Sequence, residues 1–213
     1  MKLYDYFRSS AAYRVRIALN VKGIAVEREF VHLRHGAQHH ADYRARNPYG
    51  LVPALALDDG RVLTQSLAII EYLEEVHPRP ALLPRGAEDR ARVRGLALAI
   101  AADIHPIDNL RVLQHLKRTF GADDAARDAW YAHWITTGFD ALEADLSRDT
   151  RTGRFCHGDT PTLADCFLVP QVANARRAKV DLAAYPTLVR IDTACQAIDA
   201  FADAAPARQP DAE

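Results

Sequence analysis

The feature that most constrains this chain is a change of pattern at a proline-rich connector, His77-Pro78-Arg79-Pro80-Ala81-Leu82-Leu83-Pro84. Such a run suits neither a helix interior nor a central strand. Before it, short strand-like and helix-like segments alternate. Residues 2–7 read as a strand. Ser9-Ser10 then opens a helix whose apolar Ala11, Val15, Ala18 and Leu19 recur at helical spacing, and Gly23 ends it. Residues 26–33 read as a strand and 43–47 as a short helix. Segments 52–57 and 61–64 flank Asp58-Asp59-Gly60, a hairpin signal. Ser66 is expected to cap a helix running to His77. The order β-α-β-α-β-β-α predicts a parallel first pair and an antiparallel terminal hairpin. After the connector no segment reads as a strand. Residues 88–105, 123–146, 162–178 and 188–204 read as helices, and Thr162-Leu163-Ala164-Asp165 has capping-box spacing. The tail after Ala205 is expected to be loosely ordered. The reading is thus an α/β domain over 1–82 and an all-α domain over 88–213.

Composition excludes several functions. With 213 residues and a net charge of −1, the chain lacks the basic excess of a nucleic-acid binder. No apolar run approaches the length of a membrane span, and Met1-Lys2-Leu3-Tyr4-Asp5 leads into folded-looking sequence without an apolar signal region. Cys156, Cys166 and Cys195 show no CxxC spacing, so neither a disulfide framework nor a zinc site is expected, and a reducing cytoplasm is the expected compartment. His35 and His39 stand four apart, as metal ligands can, but no acidic partner frames them, and no metal is expected.

Taken by themselves, the Ser9-Ser10 and Gln65-Ser66 pairs are helix starts, where Ser is a routine cap. A helix start is also an anion site, because its first N–H groups lack partners and its dipole end is positive.

Four segments carry a more specific signal: Tyr6-Phe7-Arg8-Ser9-Ser10-Ala11-Ala12-Tyr13-Arg14-Val15-Arg16-Ile17-Ala18-Leu19, Leu51-Val52-Pro53, Gln65-Ser66-Leu67-Ala68-Ile69-Ile70-Glu71-Tyr72-Leu73, and Leu168-Val169-Pro170-Gln171-Val172-Ala173-Asn174-Ala175. With these the chain resembles the zeta class of the glutathione transferase family over nearly its whole length. The double Ser followed by Arg-Val-Arg-Ile-Ala-Leu is the most specific part. The resemblance implies a thioredoxin-like N-terminal domain, an all-helical C-terminal domain, glutathione as cofactor and a homodimer. It places Ser9 beside the glutathione sulfur, with Ser10 and Ala11 completing the cradle. It makes Val52-Pro53 a cis-proline that turns the Val52 backbone toward the cysteinyl unit, gives Gln65-Ser66 the γ-glutamyl carboxylate, and gives Gln38 a further contact. Asn109 and His105 are expected to face glutathione. Arg8, His105, Arg111 and Arg177 are expected to face an oxo-dicarboxylate substrate, with Arg8 and Ser9 as the catalytic pair. Asn109 and Arg111 are placed one and two turns after His105. Arg176, about 100° away from Arg177 on the helix, is expected to be a solvated bystander.

Two departures stand out. Ala11 occupies a position where many zeta members have Cys, so no enzyme thiol acts there, and Tyr49-Gly50 replaces a polar residue common in relatives. The implied reaction is glutathione-dependent cis–trans isomerisation of maleylacetoacetate to fumarylacetoacetate, in aromatic amino-acid catabolism. Asn109-Leu110-Arg111-Val112-Leu113-Gln114 resembles that group. Maleylpyruvate isomerase, a general conjugating transferase and a non-catalytic binding protein are the alternatives. Lowering a thiol pKa from about 8.5 by about two units raises its thiolate roughly 25-fold at pH 7. Nucleophilicity falls roughly 8-fold in return, leaving a net gain of about 3-fold. Orientation and charge stabilisation, assigned to the Arg and His side, must therefore supply most of the rate.

Overall fold

The computed structural model describes all 213 residues, which form two compact units. The first comprises Met1–Leu82 together with Gln196–Glu213, and the second Leu83–Cys195. The helical half is therefore not one block over 88–213, because its last stretch packs with the N-terminal unit.

In the first unit, strands β1 (Lys2–Asp5), β2 (Glu27–Phe30), β3 (Ala54–Ala56) and β4 (Val62–Thr64) form a sheet in the order β2-β1-β3-β4. β1 pairs parallel with β2, and β1–β3 and β3–β4 are antiparallel, as the segment order predicts. Helices α1 (Ser10–Lys22), α2 (Ala41–Arg46) and α3 (Ser66–Val76) complete the expected sequence. α1 starts at an extended Ser9 cap and ends at left-handed Gly23. It is buried on all sides from Ser10 to Leu19, Arg14 and Arg16 included. Ser66 is the first residue of α3 and not its cap; Gln65 holds the cap position. The buried Lys22 ammonium donates to Glu74 at 2.7 Å, to the His77 carbonyl at 2.8 Å and to the Pro80 carbonyl at 3.0 Å, which ties α1 and α3 to the proline-rich connector.

The tail is ordered, contrary to expectation. Gln209 is buried, and its amide donates to the Asp203 and Ala205 carbonyls at 2.8 Å each. Glu213 pairs with His32. Pro- and Ala-rich composition made this stretch look mobile, but one buried amide and two carboxylates dock it.

The second unit contains α4 (Ala87–Leu98), α5 (His105–Asp108), α6 (Leu110–Phe120), α7 (Asp124–Arg148), α8 (Leu163–Arg177) and most of α9 (Pro186–Gln196). A short α10 (Asp199–Ala202) belongs to the first unit, so the helix read over 188–204 is two helices, broken at an extended Ile198. The helix read over 88–105 is also interrupted, by a π-helical segment at Ala99–Ile104. α8 is the central helix, buried from Leu163 through Val172. Its start is the expected capping box. Fully buried Asp165 accepts the Thr162 N–H at 2.7 Å, the Thr162 hydroxyl at 2.8 Å and the Cys156 N–H at 2.8 Å. No helix is long and apolar enough to cross a membrane.

Asp165→Ala leaves two buried backbone donors unmatched, and the expected loss of stability is about 3–5 kcal/mol. Urea denaturation measures it. A loss below about 1 kcal/mol would show that the carboxylate does not hold this helix start.

Candidate active site

In the N-terminal unit the candidate residues sit on loops joined to helix starts. Ser9 is half-buried at the N-cap of α1, and its hydroxyl oxygen accepts the Ala12 N–H at 3.1 Å. Acceptance of that bond leaves the hydroxyl hydrogen available to a ligand. Ala11 stands in the first turn, where a helix offers its N–H no carbonyl four residues back. Arg8, just before the cap, is half-buried and has neither an ion-pair nor a hydrogen-bond partner.

The second helix start, Gln65-Ser66, is linked to the first. Arg14 of α1 donates to the buried Ser66 hydroxyl at 3.2 Å. Gln65 lies at φ +71° and ψ +119°, a conformation that costs a non-glycine residue about 1–3 kcal/mol and clusters at ligand sites. The Val52–Pro53 peptide is cis, as the family reading expects. The turn ahead of it is held at the Leu51 carbonyl, which accepts the Tyr43 hydroxyl at 2.6 Å and the Asn47 amide at 2.7 Å. Val52 belongs to the same apolar cluster as Tyr6 and Phe7, so the turn packs beside the loop that leads to Ser9. Burial pushes the Tyr43 phenol up to about 12, which keeps it a neutral donor. Gln38 is 5% exposed, its amide nitrogen lies 3.1 Å from His39 Nε2, and its buried carbonyl oxygen has no partner. Gly50 has φ +60°, and a Cβ there would meet the backbone carbonyl oxygen of Gln38 at 3.0 Å. That closeness explains the glycine next to exposed Tyr49. His35 and His39 do not act as a pair, since His39 meets Gln38 while His35 stacks on His32 at 3.7 Å.

These donors suit glutathione. Two helix N-termini and two Ser hydroxyls match an anionic tripeptide, and the orphaned Gln38 oxygen suits an N–H donor. The chain itself offers no thiolate. Cys156, Cys166 and Cys195 are buried, and burial pushes the thiols of Cys156 and Cys195 well up.

In the helical unit, half-buried His105 follows the π-helical segment, a feature often found at functional sites. Its Nδ1 lies 3.9 Å from buried Asp108. Asn109 and Arg111 do not continue that helix. Asn109 is extended, at φ −75° and ψ 165°, and its side chain caps α6 by accepting the Arg111 N–H at 3.1 Å. No helix is expected between 105 and 123, so α6 is missed, although Asn is among the best capping residues. Arg111 is exposed, with no ion-pair partner. Arg177 is exposed and donates to the Tyr131 hydroxyl at 2.8 Å, with its guanidinium carbon 5.8 Å from the ring centre. Arg176 is not a bystander. Its Nη1 lies 2.6 Å from Asp192, a carboxylate 1% exposed. The sequence reading missed Tyr131 and Asp192, whose partnerships are long-range.

The family model for the glutathione S-transferase N-terminal domain matches residues 8–76, and that for its C-terminal domain matches residues 111–208. A maleylpyruvate isomerase of a Ralstonia species is 56% identical over 214 residues, covering 99% of each chain. The holo structure of a maleylpyruvate isomerase, described as a bacterial zeta-class glutathione S-transferase, superposes with a TM-score of 0.97 at 54% identity over 100% of both chains. The maleylacetoacetate isomerase of Methylobacterium extorquens, solved with malonate and glutathione bound, superposes with a TM-score of 0.98 at 45% identity over 100% of both. Matched along its whole length by these relatives, the chain belongs to the zeta class of the glutathione S-transferase family.

Proposed function

We propose that this chain catalyses the glutathione-dependent cis–trans isomerisation of maleylacetoacetate to fumarylacetoacetate. The observation that carries the reading is Ser9, which caps α1 through its oxygen and keeps its hydrogen for a sulfur, in a protein whose own thiols are buried. Maleylpyruvate is the second reading, favoured by the 56% identity to the Ralstonia enzyme. Both substrates carry two carboxylates beside a conjugated carbonyl. The malonate bound by the Methylobacterium relative supports a dicarboxylate class. The family resemblance supports a homodimer, and three free cysteines suit a cytoplasmic setting.

Bound glutathione supplies the thiol that adds to the double bond, permits rotation and leaves again unconsumed. In this reading Ser9 orients and ionises that thiol by hydrogen bonding, helped by the positive end of α1. The N-terminus of α3, with Gln65-Ser66, takes the γ-glutamyl carboxylate. Gln38, Val52 and Pro53 hold the rest of the peptide, with Asn109 and His105 as further contacts. Arg8, Arg111 and Arg177 hold the substrate carboxylates and the negative charge that develops on the carbonyl, since a guanidinium fork fits planar oxyanions. The fall of substrate absorbance tests this, followed with and without glutathione while free thiol is counted. The expected result is an absolute glutathione requirement with no loss of thiol. Stoichiometric thiol loss would make the chain a conjugating transferase.

Ser9→Ala is expected to reduce turnover much more than Ser10→Ala and to move the pH–rate profile upward, because the thiolate loses a donor. Equal effects in the two variants would reassign the roles.

Arg177→Ala is expected to lower kcat/KM roughly ten- to a few-hundred-fold, since a charge-assisted hydrogen bond contributes about 1.5–3 kcal/mol. Glutathione affinity should stay unchanged, and Arg177→Lys should recover only part of the activity. Arg176→Ala cannot serve as the silent control, because it removes an ion pair to buried Asp192, so Lys179→Gln takes that place. Wild-type kinetics in Arg177→Ala would place the carboxylate elsewhere.

A further inference from the structure

The loop that carries Arg8 and Ser9 is held at Tyr6 and Phe7 by side chains from α1 and from the C-terminal tail. The Tyr6 carbonyl accepts the Ser9 N–H at 2.9 Å and Arg16 Nη1 at 3.4 Å. The Phe7 carbonyl accepts Arg16 Nη2 at 3.0 Å. The Phe7 N–H, one residue before Arg8, donates to Asp211 Oδ2 at 2.9 Å across 204 residues of chain. The tail holds Asp211 firmly on either side. Buried Gln209 anchors it to the Asp203 and Ala205 carbonyls, and its own carbonyl accepts the Ala212 N–H at 3.0 Å. Glu213 is paired with His32, whose ring lies 5.0 Å from that of Tyr6.

We propose that Asp211 is a positioning residue for the catalytic loop: its carboxylate fixes the Phe7 amide, and with it the direction of Arg8 and the placement of Ser9. The inference rests on the isomerase reading above. Arg8 has no ion-pair or hydrogen-bond partner, so the point and direction from which its side chain leaves the loop are set by the backbone alone. Phe7 is 7% exposed, so solvent is a poor substitute for the lost acceptor. The other Asp211 oxygen is buried without a partner, a costly arrangement that a tail serving only to cover the fold would not need.

Two full-length variants test this, Asp211→Ala and Asp211→Asn. Asn keeps an oxygen acceptor of the same shape and discards the charge. For Asp211→Ala we expect kcat/KM for the dicarboxylate to fall about tenfold or more well below the unfolding temperature, with glutathione KM raised. Amide hydrogen exchange over residues 7–12 should be about tenfold faster. Asp211→Asn should stay within about threefold of wild type in all three measures. Wild-type kinetics and exchange in Asp211→Ala, with only the unfolding temperature lowered, would overturn the proposal, because the contact would then be merely structural. Equal impairment in both variants would overturn it as well, since charge and not the pin would matter. If the wild-type chain proves inactive on the dicarboxylates, the isomerase reading fails while the exchange rates still decide the pin.

Discussion

The first unit is organised around a buried ion pair. Asp5, at the end of β1, is fully buried and faces Arg16 of α1, itself 3% exposed, at 2.8 Å, with Arg28 of β2 on its other oxygen. Burial draws the Arg16 pKa down, and the Asp5 carboxylate opposes that. Removing one member of such a pair typically costs about 3–5 kcal/mol, although the intact pair adds little over a well-packed apolar core. Its consequence here is geometric. The remaining guanidinium donors reach the Tyr6 and Phe7 carbonyls and, through Nε, the Ala204 carbonyl at 2.9 Å. One side chain thus sets the exit of β1, the loop to Ser9 and the approach of the tail.

That arrangement gives the Arg-Val-Arg segment a physical meaning. Arg14 and Arg16 are two apart on a helix, so they point about 160° from each other. One reaches Ser66 at the start of α3 and the other reaches the loop before α1. Each arginine therefore braces one of the two helix starts. A helix buried on every face cannot be read from apolar periodicity, and charges within it look like surface positions until their partners are known.

Local chemistry was legible in the sequence and remote chemistry was not. The Ser9 cap, the left-handed Gly23, the hairpin at Asp58-Asp59-Gly60 and the Thr162–Asp165 box depend on neighbours within a few residues, and each appears where its residues point. The π-helical turn at Ala99–Ile104 went unseen because it keeps a helical backbone, and the start of α6 at Asn109 falls in a stretch where no helix was expected. The docking of the tail depends on Gln209 and Asp211, whose partners include a backbone amide at the other end of the chain. Arg176 and Arg177 are adjacent, and only long-range contact separates the one bound to Asp192 from the one resting on Tyr131.

The pattern of compensated and uncompensated arginines then bears on catalysis. Activating a thiol by about two pKa units yields about threefold in addition, whereas enzymes accelerate by about a millionfold or more, so most of the barrier must be lowered elsewhere. A guanidinium already neutralised by a carboxylate has little attraction left for a second one, which removes Arg16, Arg92 and Arg176 from consideration. Arg8 and Arg111 keep their full charge because nothing pairs with them. Arg177 is held by a phenol and its ring, which orient the fork without cancelling its charge. A chain with a net charge of −1 thus leaves Arg8, Arg111 and Arg177, the residues proposed to meet substrate carboxylates, without carboxylate partners of their own.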